Sequence, residues 1–287
     1  MNEYLNIGLI QTTLDKNIAW SEISKELKIN ELEGERIWNE IKTGFLNFRT
    51  LPVEERPKII LLPEFSIDDS HEDSLVMLSK DLGCVVIGGK DFVITQKGGK
   101  KYIENKAIVV VPQNWPNNIR APFVSKFYFG KFFFSNLELE SFKTRKYVPK
   151  SCPDMYILDA GTCGKIGIAI CADFFDIERF VIYKGRIHHL FILAYNQDIH
   201  TFYFLAEGIS RLVFCNVVVC NSGYYGGSVA FSPYDKSHKR YIYKHEGSKL
   251  FTTQVVSLPV QILDDAQKHP NQKAKEFKSA PPAYKQK

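Results

Sequence analysis

Seven short apolar runs recur along the chain: YLNIGLIQ at 4–11, KIILL at 58–62, CVVIGG at 84–89, KAIVVV at 106–111, KIGIAI at 165–170, HLFILA at 189–194 and RLVFCNVVVCN at 211–221. Each is short for a helix, and apolar enough for a strand covered on both faces, so the pattern predicts a buried, parallel or mixed sheet. Between the runs, residues 21–48 have helical composition and spacing, with a break expected around Asn30 to Gly34. SHEDSLVMLSKDLG at 70–83 predicts a helix with Ser70 as N-cap, acids in its first turn and Gly83 as its stop. After Gly223 the strands become shorter and more polar, in GGSVAFSPYDK and RYIYKHEGSKLFTTQVVSLPV, with a turn at Glu246 and Gly247. These read as antiparallel strands finishing the same unit. No linker, repeat or shift of composition precedes residue 264, which sets the expected organisation as one α/β domain over 1–263 and a basic, flexible tail over 264–287.

Composition narrows the class. Hydrophobic residues make up 45% and charged residues 24%, as in folded globular domains, and 13% are aromatic. No apolar run approaches the roughly 20 residues of a membrane span, and the N-terminal MNEYLNIGLIQTT lacks the pattern of a signal peptide, so a cytoplasmic protein is expected. The six cysteines (84, 152, 163, 171, 215 and 220) show no CxxC spacing, which argues for reduced thiols and against a zinc site. Residues 266–287 carry six lysines against one glutamate, equal to the whole formal net charge of +5. The tail reads first as a solvated extension and second as a contact for nucleic acid or an acidic protein.

Three runs end in reactive residues: IILLPE in Glu64, FYFGK in Lys131 and IGIAIC in Cys171. Carboxyl ends of strands are where side chains leave the core while their backbones stay rigid. A carboxylate, an ammonium and a thiol form a coherent set. A free thiol has a pKa near 8.5, so its activation needs a base or a stabilising cation. Glu64 supplies the base. Lys131, with the backbone N–H of Ala172, stabilises charge developing on the attacked group. Such a site attacks an electrophilic carbon bound to nitrogen, passes through a thioester and releases it with water.

In these pieces the chain resembles the nitrilase, or carbon-nitrogen hydrolase, superfamily, whose members use a Glu-Lys-Cys triad in that chain order. The matching segments are IGLIQ, LPEF around Glu64, VVIGG, ENKAIVVVP, the aromatic-flanked lysine, GIAICADFFDIERF, and RLVFCNVVVCNSG followed by GGSVAFSP, from about residue 5 to 260. Cys171, Asp173 and Glu178 follow the family's C-x-D-x-x-x-P-E pattern, with Ile177 in place of the proline. Lys126 competes with Lys131 within SKFYFGKFFF, and the polar SNLELES that follows favours Lys131. Glu138 and Glu140 bracket the place of a carboxylate that orients lysine and substrate in relatives.

The resemblance implies a four-layer αββα sandwich and hydrolysis of a non-peptide amide, carbamoyl or nitrile bond through a thioester on Cys171. Amides come before nitriles because they predominate in the family. It also implies a small-molecule substrate, a homodimer or larger homo-oligomer through packed helical faces, no metal and no organic cofactor. Acyl transfer to an amine in place of water stays open. The rival is a catalytically idle, nitrilase-like binding or assembly module, with nucleic acid as a partner through the tail.

Other residues carry weaker expectations. Tyr195, Asn196 and His200 follow HLFILA where relatives set pocket walls. Asp173 is expected as a turn or cap, and Glu178 as a partner for Arg179 or a helix start. Asn221-Ser222-Gly223 fits either the family's strand end beside the site or a plain turn. His188 and His189 are expected as a surface pair at a strand entry. The aromatic run Phe127 to Phe134 is expected to fill core rather than to stack bases.

Overall fold

The computed structural model of the protein describes residues 1–20, 26–270, 272 and 276–284. The first sheet runs β15 (Thr252–Pro259), β1 (Tyr4–Gln11), β2 (Ile59–Ile67), β3 (Val85–Lys90), β6 (Lys106–Pro112) and β7 (Val124–Gly130). The second runs β14 (Tyr241–Lys244), β13 (Val229–Phe231), β12 (Asn216–Asn221), β11 (His189–Ala194), β10 (Lys165–Ile170) and β9 (Ile157–Asp159). Each has a parallel trio, β1-β2-β3 and β10-β11-β12, flanked by antiparallel strands. A small third sheet holds β4 (Val93–Lys97), β5 (Lys100–Glu104) and β8 (Tyr147–Pro149).

The helices among the described residues are α1 (Lys16–Ala19), α2 (Glu31–Arg49), α3 (Glu72–Leu82), α4 (Asn136–Thr144), α5 (Ile177–Tyr183), α6 (Ile199–Ile209), α7 (Ser237–Arg240) and α8 (Gln261–Lys268). Alternation along β2 explains the layering. Ile59 and Leu61 enter the core shared with Ile168, Ile192 and Val218 of the second sheet. Ile60 and Leu62 point the other way, against Ile37, Ile41 and Phe45 of α2 and Leu75 of α3. On the far side of the second sheet, Phe180 of α5 and Phe202 and Ala206 of α6 complete the sandwich. Helix, sheet, sheet and helix give the αββα order, and the inner strands of both sheets read as unbroken apolar runs because both their faces are covered.

Several expectations need correction. Residues 21–25 of the first helical segment lie outside the described residues; α2 itself starts at Glu31, with the Asn30 side chain accepting the Leu32 N–H. The stop at Gly83 is left-handed at φ 67°, but Asp68, not Ser70, accepts the His71 N–H at the other end. Residues 211–214 of the expected strand at 211–221 belong to a π-turn, Ser210–Phe214, that continues α6, and the strand begins at Asn216. Their apolar composition suited either geometry.

His188 and His189 are buried rather than on the surface. His188 Nδ1 accepts the Lys165 N–H at 2.9 Å, so Nε2 carries the proton donated to Asp264 Oδ1 at 3.1 Å. The aromatic run contributes little to the core: Phe129 is buried and Phe132 and Phe134 are half-buried, whereas Phe127, Tyr128 and Phe133 face solvent. The tail expected from residue 264 is packed over much of its described length. Leu263 and Ala266 of α8, with Phe277 and Tyr284, bury against Phe214 and Tyr234, and the Tyr234 and Phe277 rings stack at 4.7 Å. Three or four spaced apolar residues sufficed to dock a segment whose average composition reads as solvated. Lys273, Lys275, Lys285 and Lys287 lie outside the described residues.

Candidate active site

Glu64 sits where β2 leaves regular pairing with β3, in an irregularity of register between Leu62 and Ile67. Such an irregularity re-aims a side chain that the pleat would direct into a core. The following Phe65 has φ 62°. Gly89 makes the fit feasible: a Cβ there would lie 2.4 Å from the Glu64 Cα. The VVIGG run thus owes its second glycine to the close approach of the carboxylate-bearing segment.

Lys131 follows β7 directly, and its ammonium is enclosed by carboxylates. Nζ lies 2.8 Å from Glu64 Oε1 and 2.9 and 2.7 Å from the two oxygens of Glu138. Burial opposes the lysine's charge, but Glu64 and Glu138 outweigh it and raise its pKa above the ordinary lysine value. Glu138 is held for this contact by its helix. It is the third residue of α4, where Ser135 and Glu138 form a capping box, the carboxylate accepting the Ser135 N–H at 2.7 Å. Glu140 is exposed on the same helix, and Lys126 pairs with Glu72 at 2.8 Å on the outer surface.

Two residues that the sequence reading did not assign to the site build its frame. Asn105 donates from Nδ2 to Glu64 at 2.7 Å and to Glu138 at 3.1 Å, tying the carboxylates together. The Asn105 carbonyl also accepts the Lys131 N–H at 2.8 Å. Its signal was the polar break of EN before the apolar KAIVVV run. Asp173, expected as a turn or cap, reaches across to the lysine's loop. Its Oδ1 accepts the N–H groups of Phe132 and Phe133 at 3.1 and 2.8 Å, and Arg179 stands 3.6 Å from its Oδ2.

Cys171 ends β10 and opens a tight turn, Cys171–Phe175, with φ 43°. A non-glycine residue in this left-handed region costs about 1–3 kcal/mol and persists only where its surroundings enforce it. The thiol is buried, and burial, then the Glu64 and Glu138 carboxylates, push its pKa up against the pull of Lys131. The Tyr195 backbone N–H also opposes this rise. Glu64 is itself raised above the usual carboxylate range, chiefly by burial. A protonated thiol therefore faces a carboxylate of increased basicity, a pairing suited to proton transfer.

Glu64, Lys131, Glu138 and Cys171 open onto one cavity of about 770 Å³. Tyr195 and Asn196 line it as well. The Tyr195 hydroxyl donates to the Leu14 carbonyl at 2.9 Å, and its ring meets Tyr225 edge-on at 5.0 Å. Asn221, at the end of β12, exchanges hydrogen bonds with the Asn196 backbone at 2.9 and 2.8 Å. Ala172 and His200 are not among the lining residues; Ala172 follows Cys171 in the turn. Glu178 lies in the first turn of α5, capped by Asp176. Among the described residues no cluster of three histidine, cysteine or acidic side chains is arranged to hold a metal, and no helix is long and apolar enough to cross a membrane.

No protein-family model matches the sequence, and no curated protein matches it. Solved structures do. A mutant amidase from Nesterenkonia sp. AN1, showing covalent addition of the acetamide moiety of fluoroacetamide at the active-site cysteine, aligns with a TM-score of 0.61 and 13% identity over 90% of this chain and 91% of that one. Another mutant of that amidase, in complex with butyramide, aligns with a TM-score of 0.61 and 15% identity over 94% and 97%. A third is described as an amidase from the nitrilase superfamily and aligns with a TM-score of 0.60 and 15% identity over 93% and 97%. The fold is that of the nitrilase-superfamily amidases. In this nitrilase-type sandwich, side chains from the ends of β2, β7, β10 and β11 reach one cavity, so the fold accounts for the meeting of residues far apart in the chain.

Proposed function

We propose that the protein is a carbon-nitrogen hydrolase that cleaves a small primary amide through a thioester on Cys171. The observation that carries this reading is the buried Glu64–Lys131–Glu138 cluster opening onto the same cavity as a strained, buried cysteine. In the proposed reaction Glu64 takes the thiol proton as sulfur attacks the carbonyl carbon. Lys131 stabilises the oxyanion. When the C–N bond breaks, Glu64 returns the proton to the leaving nitrogen, releasing ammonia. Water then gives a proton to Glu64 and attacks the thioester; the C–S bond breaks, sulfur regains its proton and the acid departs. Glu138 holds the ammonium, and Tyr195 and Asn196 form substrate walls.

An amide is favoured over a nitrile because the neighbouring structures are amidases, one in complex with butyramide. We assign the enzyme to the cytoplasm, in keeping with six free cysteines. We also assign it a homodimeric state through α5 and α6, where Ile177, Val181 and Phe204 are 74%, 66% and 76% exposed. Ammonia release from a panel of primary amides tests the activity. Turnover that survives Cys171→Ala would end this reading.

A further inference from the structure

The cavity is lined by charged groups of both signs. At the reacting end, two carboxylates, Glu64 and Glu138, surround one ammonium, Lys131. At another part of the wall stands Arg145, the C-cap of α4, with Lys16 also on the lining. Arg145 Nη1 donates to Ser141 Oγ at 3.0 Å, and no carboxylate pairs with its guanidinium among the described residues. The carboxylate of Asp198, also on the lining, is engaged by the Thr201 N–H at 3.2 Å.

Helix α4 connects the two ends of this arrangement. Glu138, Ser141 and Arg145 all line the cavity, and their spacing of three and four places them on one helical face. Folded back onto Ser141, the Arg145 guanidinium lies beside a residue only three positions, about 4.5 Å of helix rise, beyond Glu138. The lining also has an apolar part, built by Trp20, Phe65 and Phe92, with Trp20 packing on Phe65 at 4.9 Å and Phe65 on Phe92 at 4.7 Å. A group entering beside Glu64 and Glu138 must carry no negative charge to escape repulsion. A group beside Arg145 gains from negative charge, and the planar fork of a guanidinium fits a carboxylate in a bidentate pair.

We propose that the cavity selects primary amides bearing a carboxylate at the far end of a short aliphatic chain, with Arg145 as the carboxylate grip and α4 as the spacer that sets the chain length. The assignment of the amide end rests on the hydrolase reading above, while the carboxylate grip rests on Arg145 and its surroundings. The monoamide of glutaric acid and pentanamide form a matched pair, equal in carbon count and differing only in the terminal carboxylate.

The test is calorimetric titration of both compounds into the Cys171→Ala protein, which removes turnover from the readout. The monoamide acid is expected to bind about ten- to a hundredfold more tightly than pentanamide, as charge-assisted hydrogen bonds imply. Adding Arg145→Gln is expected to erase that preference. Equal binding of the two compounds, absence of binding by the acid, or a preference that persists in Arg145→Gln overturns the proposal. Wild-type activity separates the two readings. Equal kcat/KM for both amides refutes the carboxylate grip and keeps the hydrolase; the binding preference without any ammonia release supports the grip and refutes the hydrolase.

Discussion

Asp173 Oδ1 accepts the backbone N–H of Phe133 at 2.8 Å, joining the turn of the candidate nucleophile to the loop of the candidate lysine. Each partner lies two residues beyond its reactive neighbour, Cys171 or Lys131. The bond therefore fixes the separation of two strand ends from different sheets. Asp173→Ala leaves two backbone N–H groups and the buried Arg179 guanidinium without this acceptor, and is expected to cost about 2–4 kcal/mol of stability. Among folded molecules kcat should fall at least tenfold with a smaller change in KM. Asp173→Asn, which keeps one acceptor, should recover most of the stability; kcat and KM measured on both variants decide the matter.

Glu138→Gln is expected to lower kcat/KM at least tenfold, because it removes one of two carboxylates holding the Lys131 ammonium. Glu140→Gln, on the exposed side of α4, should leave kcat/KM within about twofold of wild type. Steady-state kinetics of the pair check the assignment.

The pH dependence has a defined sign. Burial first, and then the Glu138 charge, raise the Glu64 pKa, while Lys131 opposes them. Activity needs Glu64 ionised, so kcat/KM should climb with pH along a limb lying above the ordinary glutamate value of about 4.3. Glu138→Gln removes a charge that raises Glu64, and its limb should move to lower pH. A limb that stays in place, or moves upward, contradicts the coupling.

His189 gives an acid-stability signature. It is buried, donates to the Cys163 carbonyl at 2.9 Å, and burial holds its pKa down to about 3. The unfolded chain takes up a proton near pH 6.5 that the folded chain refuses. Stability present above pH 6.5 is therefore lost as pH falls toward about 3, at up to about 1.4 kcal/mol per unit. Urea unfolding at stepped pH should show this slope, flattened in His189→Gln.

The apolar face of α5 and α6 carries the assembly prediction. Val181→Lys is expected to shift the protein from dimer to monomer in sedimentation velocity, by placing a charge in a desolvated contact. An unchanged dimer would remove this face from the interface.

Much of this organisation was legible in the chain because burial on both faces writes itself as continuous apolar runs. The bounds of β1, β10 and β11 coincide with the runs at 4–11, 165–170 and 189–194. The reactive strand ends were visible for the same reason, as polarity breaking into YFGK and IAIC. Side chains acting across the chain were not. Nothing local in ENKAIV tells that Asn105 bridges two carboxylates, and nothing in CADFF tells that Asp173 reaches residues 132 and 133. The docked C-terminal segment was hidden by averaging. Six lysines dominate its composition, while Phe277 and Tyr284 decide where it lies. The aromatic run misled in the opposite direction, since residues 125–128 of β7 are exposed and only the end of the strand is buried.

The sharpest measurement is mass spectrometry of the protein quenched in acid during turnover of a primary amide, followed by peptide mapping. The expected result is a substrate-derived acyl mass on Cys171, lost in Glu64→Gln and Lys131→Met proteins that remain folded. Amide turnover with no adduct on Cys171, or with the adduct on another cysteine, would contradict the chemistry assigned to this cavity.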